Sequence, residues 1–153
     1  MLPADRVIDA PVTSLDLLPT ALAAASVAVP AKAKFDGVNL LPFLTGKSDK
    51  KPHEALFWRY GEQTAVRAGD WKLTCARDTT MRPPTIKTGL YDLAHDPGEQ
   101  HDLSAENPGK VKELQKLWEA WNFKNMPALW TDKPATQAKE KDKHNHRLPC
   151  DSH

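Results

Sequence analysis

The side chains that could bind a metal ion fall into two groups in the sequence. In the first, His95 and His101 flank Asp96 and Glu99, and neutral imidazole and carboxylate are common metal ligands. The same run also suits a solvated turn, because the Pro-Gly pair between Asp96 and Glu99 presets one φ angle and accepts a positive one at the next residue. We favour the turn.

The second group lies near the end of the chain, where His144, His146, Cys150 and His153 occur at irregular spacing. Few apolar residues surround them, so only adventitious metal binding is expected, with Cys150 as a tail thiol. Cys75 falls in a predicted strand, where we interpret it as a small apolar residue. Two cysteines are too few for a disulfide framework.

Three tryptophans offer a second kind of chemistry, because exposed indole rings can stack on sugars. These are Trp118, Trp121 and Trp130. Trp118 and Trp121 are three residues apart, which places them on one face of a helix. We therefore expect them in the core rather than on a carbohydrate platform.

The first element that the sequence predicts is a helix that runs from near Thr13 to about Ser26. Thr13 stands three residues before Asp16, which is the spacing of a capping box. Pro19 predicts a break or restart. The apolar stripe of this helix is wider than the next thirty residues can cover, which indicates a face that packs on something outside this chain. The stripe consists of Leu15, Leu18, Leu22 and Ala25.

The middle of the chain changes to short β-rich runs separated by turns, which is typical of an antiparallel meander. A polar loop over 76–88 precedes the last of these runs. A clear amphipathic helix over about 108–122 follows, with Asn107 as N-cap and Pro108 as its first residue. Its apolar face is predicted to carry Val111, Leu114, Leu117, Trp118 and Trp121. The predicted strands are 56–60, 64–67, 71–75 and 90–93.

These elements predict an α+β fold in which a small antiparallel sheet of about four strands packs against the C-terminal amphipathic helix. Residues 1–52 form a helix and a connector, 53–130 form the α+β subdomain, and 131–153 are expected to be a disordered tail. Lys and Arg total 21 against 20 for Asp and Glu, so no overall field favours nucleic acid. No apolar run suits a membrane span, and the N-terminus lacks a signal-peptide pattern.

Three segments together resemble the C-terminal part of type I sulfatases, the arylsulfatase-like members of the alkaline-phosphatase-like superfamily. They occur in the order and spacing of that family and extend over about residues 5–130. The resemblance implies that the first helix is left over from the large α/β domain of a sulfatase. The segments are Asp9–Thr20 with Asp36–Gly46, Phe57–Leu73, and Leu90–Leu103.

The resemblance also implies what the chain lacks. Sulfatases use a formylglycine, made from the first residue of a Cys/Ser-x-Pro/Ala-x-Arg motif, beside a calcium ion. Neither Cys75 nor Cys150 heads this motif, and no serine does. We therefore expect a fragment of a sulfuric ester hydrolase that has a structural role, shapes the substrate cleft and is inactive alone. Calcium and formylglycine are expected in the intact parent enzyme. The expected partner is the missing N-terminal domain of that enzyme.

In this family the hairpin near Trp58 can approach the mouth of the active site. The resemblance thus makes Arg59, Tyr60 and Gln63 candidates for contacting a sulfated carbohydrate or aryl sulfate, since Arg pairs with anions and Tyr stacks on sugars. The alternative is that all three are ordinary strand-end residues. A free-standing module that binds sulfated carbohydrate or a partner protein, and a phosphoesterase of the same superfamily, are the rival functions. A periplasmic or secreted parent is the expected location.

Overall fold

The computed structural model describes residues 5, 7–78, 80, 82 and 85–126. The chain divides into two compact units, Met1–Leu56 and Phe57–His153. The predicted tail at 131–153, with its histidines, and Trp130 lie outside the described residues. Among the residues that are described, no helix is both long and apolar enough to cross a membrane.

The first unit contains two short helices joined by a connector. A 3₁₀ turn at Ser14–Asp16 leads directly into helix α1, Leu17–Ala24, and helix α2 covers Leu41–Leu44. The break or restart predicted at Pro19 was wrong, because α1 continues through this residue and the change in helix type lies between Asp16 and Leu17. Pro19 is the third residue of α1, where a missing N–H breaks no bond within the helix.

Helix α1 ends two residues earlier than the predicted end at Ser26. Ser26 has a left-handed φ of 54°, and the N–H of Val27 donates to the carbonyl of Leu22 at 2.9 Å. This is the Schellman arrangement, which satisfies the last carbonyls of a helix.

The connector passes close to the start of α1 at Gly37. A Cβ atom on Gly37 would lie 2.1 Å from the carbonyl oxygen of Leu15. The residue four positions after Leu15 is Pro19, which has no N–H to donate to that oxygen. The chain therefore approaches the helix where a regular helical bond is missing, and only glycine fits.

The second unit is built on a four-stranded sheet in the order β1-β2-β3-β4, which confirms the predicted α+β fold. Val66 of β2 lies opposite Leu73 of β3 in an antiparallel register. The turns that precede β2 and β3 start at Gly61 and Gly69, with φ of 58° and 59°, as type II′ hairpin turns require. The strands are β1, Leu56–Tyr60; β2, Gln63–Ala68; β3, Trp71–Asp78; and β4, Thr85–Asp92.

Strand β4 is longer than the sequence predicted, so the loop expected over 76–88 was wrong in its extent. The end of β3, Ala76 to Asp78, pairs with Thr85 to Lys87 at the start of β4. All six of these residues are exposed or half-buried. Backbone pairing there needs no apolar side chains, so the hydrophobic pattern did not reveal it.

Helix α3, Pro108–Asn122, begins at the predicted residue and contacts β2 and β3. Each large apolar side chain buried between helix and sheet stabilises the unit by about 1.5–3 kcal/mol before entropy is subtracted. The indole N–H of Trp118 also donates to the carbonyl of Trp58 at 3.2 Å. The buried core residues of this unit are Val66, Leu73, Cys75, Leu90, Leu114 and Trp118.

One residue of α3, Leu117, differs from the predicted face. The buried stripe runs through Leu114, Trp118 and Asn122, whereas Leu117 is 40% exposed. At 100° per residue, Leu117 lies roughly 80° from the midpoint between Leu114 and Trp118. Trp121 stacks on Phe57, with ring centroids 5.1 Å apart and an angle of 6° between the planes.

Cys75 is a buried strand residue, as predicted, and only 2% of it is exposed. It is disulfide-bonded and therefore not a free thiol. Cys150 lies outside the described residues.

The outer edge of β4 is covered at Leu90. The N–H of Leu90 donates to Oδ1 of Asp102 at 3.1 Å, and the N–H of Leu103 donates to the carbonyl of Leu90 at 2.8 Å. Both backbone groups of Leu90 are thereby occupied on the side that faces away from β3.

Candidate functional site

The three predicted substrate-binding residues surround the turn that joins β1 to β2. Arg59 and Tyr60 end β1, and Gln63 begins β2. They therefore lie at one end of the sheet, although successive residues of a strand point to opposite faces. Arg59 is half-buried, Gln63 is exposed, and Tyr60 is 82% exposed.

Arg59 is held against the C-terminal end of α3. Its Nη1 donates to Oδ1 of Asn122 at 2.5 Å, and its Nη2 donates to the carbonyl of Met126 at 2.6 Å. Asn122 is a buried polar residue that sequence reasoning did not single out. A guanidinium carries five N–H groups, so Arg59 keeps donors that these two bonds do not use. The two bonds hold the end of β1 against α3, which is a structural role.

Tyr60 and Gln63 present their side chains to solvent at the same turn. Trp58 lies two residues before Tyr60, so both rings project from one face of β1, and Trp58 is 46% exposed. Within the turn, Oε2 of Glu62 accepts a hydrogen bond from Nη2 of Arg77 at 2.9 Å. This end of the sheet therefore offers aromatic faces for stacking and a carboxamide for hydrogen bonding.

The histidine and acid run that suggested a metal site forms a turn. Oδ2 of Asp96 accepts the N–H of His101 at 2.8 Å. This bond, and a second from the N–H of Gln100, hold the pKa of Asp96 below its ordinary value. Glu99 adopts a φ of 55°, and its carboxylate accepts a hydrogen bond from Lys72 at 2.5 Å. The carboxylates of Asp96 and Glu99 thus both have a structural partner.

His95 pairs locally with Asp92. Nδ1 of His95 lies 2.8 Å from Oδ2 of Asp92, and this contact raises the pKa of His95 and lowers that of Asp92. The pair is part of the same turn, since His95 follows Asp92 by three residues.

A buried carboxylate that the sequence did not identify as buried lies at Asp16, which is 0% exposed. Its Oδ1 accepts the N–H of Val38 at 2.8 Å. Its Oδ2 accepts the N–H of Thr13 at 2.9 Å and lies 2.8 Å from Nε2 of His53. The capping-box spacing predicted the Thr13 contact, but Val38 and His53 are 22 and 37 residues away in sequence.

The environment of Asp16 has opposing effects on its pKa. Burial is the largest single influence and raises the pKa, whereas the N–H groups of Thr13 and Val38, together with His53, lower it. The lowering contributions prevail, so the pKa of Asp16 lies below its ordinary value and the residue is a carboxylate at neutral pH.

Calcium, which the family resemblance implies for an intact enzyme, does not fit the acids that the structure describes. Calcium needs six to eight converging oxygen ligands. The oxygens of Asp16 are occupied by N–H donors, and Oδ1 of Asp102 accepts the N–H groups of Leu90 and Ser104. Within residues 7–78 and 85–126, no three His, Cys, Asp or Glu side chains are grouped to hold an ion.

Comparison with known proteins identifies relatives that are named as sulfatases. YdeN, an uncharacterized sulfatase of Escherichia coli K12, is 44% identical, and the match covers 77% of this chain and 27% of YdeN. Human arylsulfatase A is 33% identical, and the match covers 85% of this chain and 30% of that enzyme. No protein-family model matches the chain.

The fold is also similar to that of a solved structure. The crystal structure of Ps i-CgsB in complex with k-i-k-neocarrahexaose matches 88% of this chain and 29% of that protein, with a TM-score of 0.62 and 23% identity. The chain thus spans less than a third of the length of each of these relatives.

Proposed function

Because this chain belongs to the sulfatase family, we propose that it is the C-terminal portion of a type I sulfatase, which completes the substrate cleft and does not hydrolyse sulfate esters alone. The observation that carries the proposal is the partial match: most of the chain is similar to sulfatases, yet it spans under a third of their length. A portion of an enzyme can shape a site whose reacting groups lie elsewhere.

The chemistry of the chain supports inactivity in isolation. Sulfate ester hydrolysis requires a strong nucleophile and cationic groups that bind and polarise the anionic sulfate. No cysteine or serine in the sequence begins a Cys/Ser-x-Pro/Ala-x-Arg motif. Three of the described acids, Asp16, Asp96 and Glu99, are each committed to a backbone N–H group or a lysine.

The contribution to substrate binding is assigned to the turn between β1 and β2. Tyr60 and Gln63 are exposed there and free of an evident role in the core, whereas Arg59 anchors the turn to α3. An aromatic face beside a carboxamide suits a sugar or aryl ring. The substrate class is therefore a sulfated carbohydrate or an aryl sulfate in the assembled enzyme.

Two measurements test this function. The purified chain should give no turnover of 4-nitrophenyl sulfate, with or without added calcium. A chimera of human arylsulfatase A that carries this chain in place of its matching segment should hydrolyse the same ester. In that chimera, Tyr60→Ala and Gln63→Ala should raise KM with little change in kcat.

Two results would overturn the proposal. One is saturable, calcium-dependent hydrolysis by the chain alone. The other is a folded chimera without activity. Unchanged kinetics in both side-chain variants would remove only the assignment of Tyr60 and Gln63.

A further inference from the structure

Cys75 is a disulfide-bonded residue in the interior of the second unit. It lies on β3 opposite Thr64 of β2, and both residues are buried. Leu73 lies two positions before Cys75, so the two side chains point to the same face of the sheet, and Leu73 is also part of the core. One end of the disulfide bond is therefore anchored in the packed core.

The sequence restricts the other end of this bond. It contains two cysteines, Cys75 and Cys150, and the described part of the chain has no free cysteine. A bond between the Cys75 residues of two copies is excluded by burial, because bonded sulfur atoms lie about 2.0 Å apart and two sulfurs inside separate cores cannot approach so closely. Cys150 is the remaining partner in the sequence.

We infer that Cys75 and Cys150 form one intramolecular disulfide, which closes residues 75–150 into a covalent loop that contains β4 and α3. This inference goes beyond the proposed function, since it concerns how the second unit is stabilised and under which redox conditions it matures. It also replaces the expectation that Cys150 is a free tail thiol.

The disulfide stabilises the second unit chiefly through the unfolded chain. Met126 is the last described residue, and the connection from it to Cys150 can extend over about 80 Å. So long a connection does not by itself fix the position of α3 on the sheet. The bond instead removes conformations from the unfolded chain, and this effect is greater for longer loops.

Formation of the bond needs an oxidant, for which a small-molecule disulfide such as oxidised glutathione is sufficient. The thiolate of one cysteine attacks a sulfur of oxidised glutathione and releases one reduced glutathione. The thiolate of the other cysteine then displaces the second glutathione from the mixed disulfide. Two cysteine thiols are thereby oxidised, one glutathione disulfide is reduced to two thiols, and the two cysteine protons pass to the released glutathione.

The position of Cys75 also protects the bond once it has formed. A reducing thiolate must reach a sulfur atom to attack it, and only 2% of Cys75 is exposed. Disulfides persist in oxidising compartments and are rare in the cytosol. The second unit therefore reaches its full stability only where such an oxidant is present.

The first test identifies the bond in the full chain. The chain is oxidised in a glutathione buffer, treated with iodoacetamide and digested with trypsin without reductant, and the peptides are analysed by mass spectrometry. Trypsin cleaves after lysine and arginine, so the expected product is Leu73–Arg77 linked to Leu148–His153. Its mass should be lower than the sum of the two peptides by two hydrogen atoms. Dithiothreitol before digestion should abolish it.

Two results of this test would overturn the assignment. One is alkylated, unlinked Cys75 in the oxidised chain. The other is a linked product that occurs only in a covalent dimer on a non-reducing gel, since the bond would then join two copies.

The second test measures the effect on stability. Cys150→Ser removes the bond and keeps the buried side chain of Cys75. In oxidising buffer it should raise the unfolding equilibrium constant of the second unit on the order of 10³-fold, as measured by urea unfolding with tryptophan fluorescence. Dithiothreitol should bring wild type to the value of Cys150→Ser and leave that variant unchanged.

Ser152→Ala, two residues from Cys150, is the matched control and should behave like wild type in both buffers. Equal stability of Cys150→Ser and wild type in oxidising buffer would overturn the stabilising role of the bond. Both tests use this chain alone and no sulfate ester, so their outcome is independent of the activity of the arylsulfatase chimera.

Discussion

Nε2 of His53 lies 2.8 Å from Oδ2 of Asp16, a carboxylate with no exposed surface. The contact joins the segment that precedes β1 to the start of α1. Because the same carboxylate also accepts the N–H of Val38 in the connector, one side chain holds three separate parts of the first unit together.

Asp16→Asn should destabilise the first unit by about 2–3 kcal/mol, because it removes the charge and places an NH₂ group where an oxygen accepts hydrogen bonds. The measurement is amide hydrogen exchange of Val38 by NMR, which should become faster on the order of 100-fold. Asp36→Asn, at an exposed position, is the control and should leave that rate unchanged. Wild-type protection of Val38 in Asp16→Asn would contradict the assigned role.

The stability of the first unit should also depend on acid pH. The folded-state pKa of Asp16 is lower than its ordinary value of 3.8, so its contribution is present above that value and is lost as the pH falls through the folded-state pKa. Protection of Val38 should therefore decline below about pH 4 in wild type. The decline should be much weaker in Asp16→Asn, and equal profiles for the two proteins would disprove the linkage.

Two glycine substitutions should have opposite signs. Gly37→Ala should destabilise by about 1–3 kcal/mol, because the new Cβ would meet the carbonyl of Leu15 at 2.1 Å. Gly109→Ala should stabilise by about 0.5–1 kcal/mol, because nothing lies within 4 Å of a Cβ there. Urea unfolding followed by circular dichroism and by tryptophan fluorescence measures the two effects. A neutral Gly37→Ala would show that the connector does not pack as described.

Arg59→Met should lower the free energy of unfolding of the second unit by about 2–3 kcal/mol, since it breaks two hydrogen bonds from a charged guanidinium, one to Asn122 and one to the carbonyl of Met126. Tyr60→Ala is the neighbouring control and should change it by less than about 0.5 kcal/mol, because Tyr60 is exposed. Urea unfolding monitored by tryptophan fluorescence gives both values. If Arg59→Met is as stable as wild type, the anchor to α3 is not a stabilising contact.

Asp102→Ala should expose the sheet edge at Leu90. The N–H of Leu90 would lose its acceptor, which costs about 1–3 kcal/mol for a buried donor. Amide exchange of Leu90 should accelerate accordingly, while Glu106→Ala, at an exposed position, should leave it unchanged. No difference between the two variants would mean that the edge is protected by other groups.

Local patterns in the sequence predicted much of this fold. Helix α3 begins at Pro108 as the Asn-Pro pair indicated, and the turns at Gly61 and Gly69 separate the first three strands as expected. These features depend on residues that are close together in the chain, where propensity and hydrophobic period decide the outcome. The amphipathic face of α3 was wrong only at its margin, at Leu117.

Such local patterns could not predict the contacts that define the candidate site. The family resemblance made Arg59 a candidate for anion binding, whereas its contact with Asn122, 63 residues away in sequence, could not be predicted from nearby residues. The burial of Asp16 likewise depends on Val38 and His53. Long-range pairing of polar groups leaves no periodic signal, since it follows from the tertiary arrangement alone.

The two backbone bonds at Leu90 have a consequence for how copies of this protein behave at high concentration. Unpaired strand edges recruit strands of other molecules and start fibrous aggregates. At β4, an incoming strand would first have to displace residues 102–103. Self-association through this edge therefore costs free energy before any new contact forms.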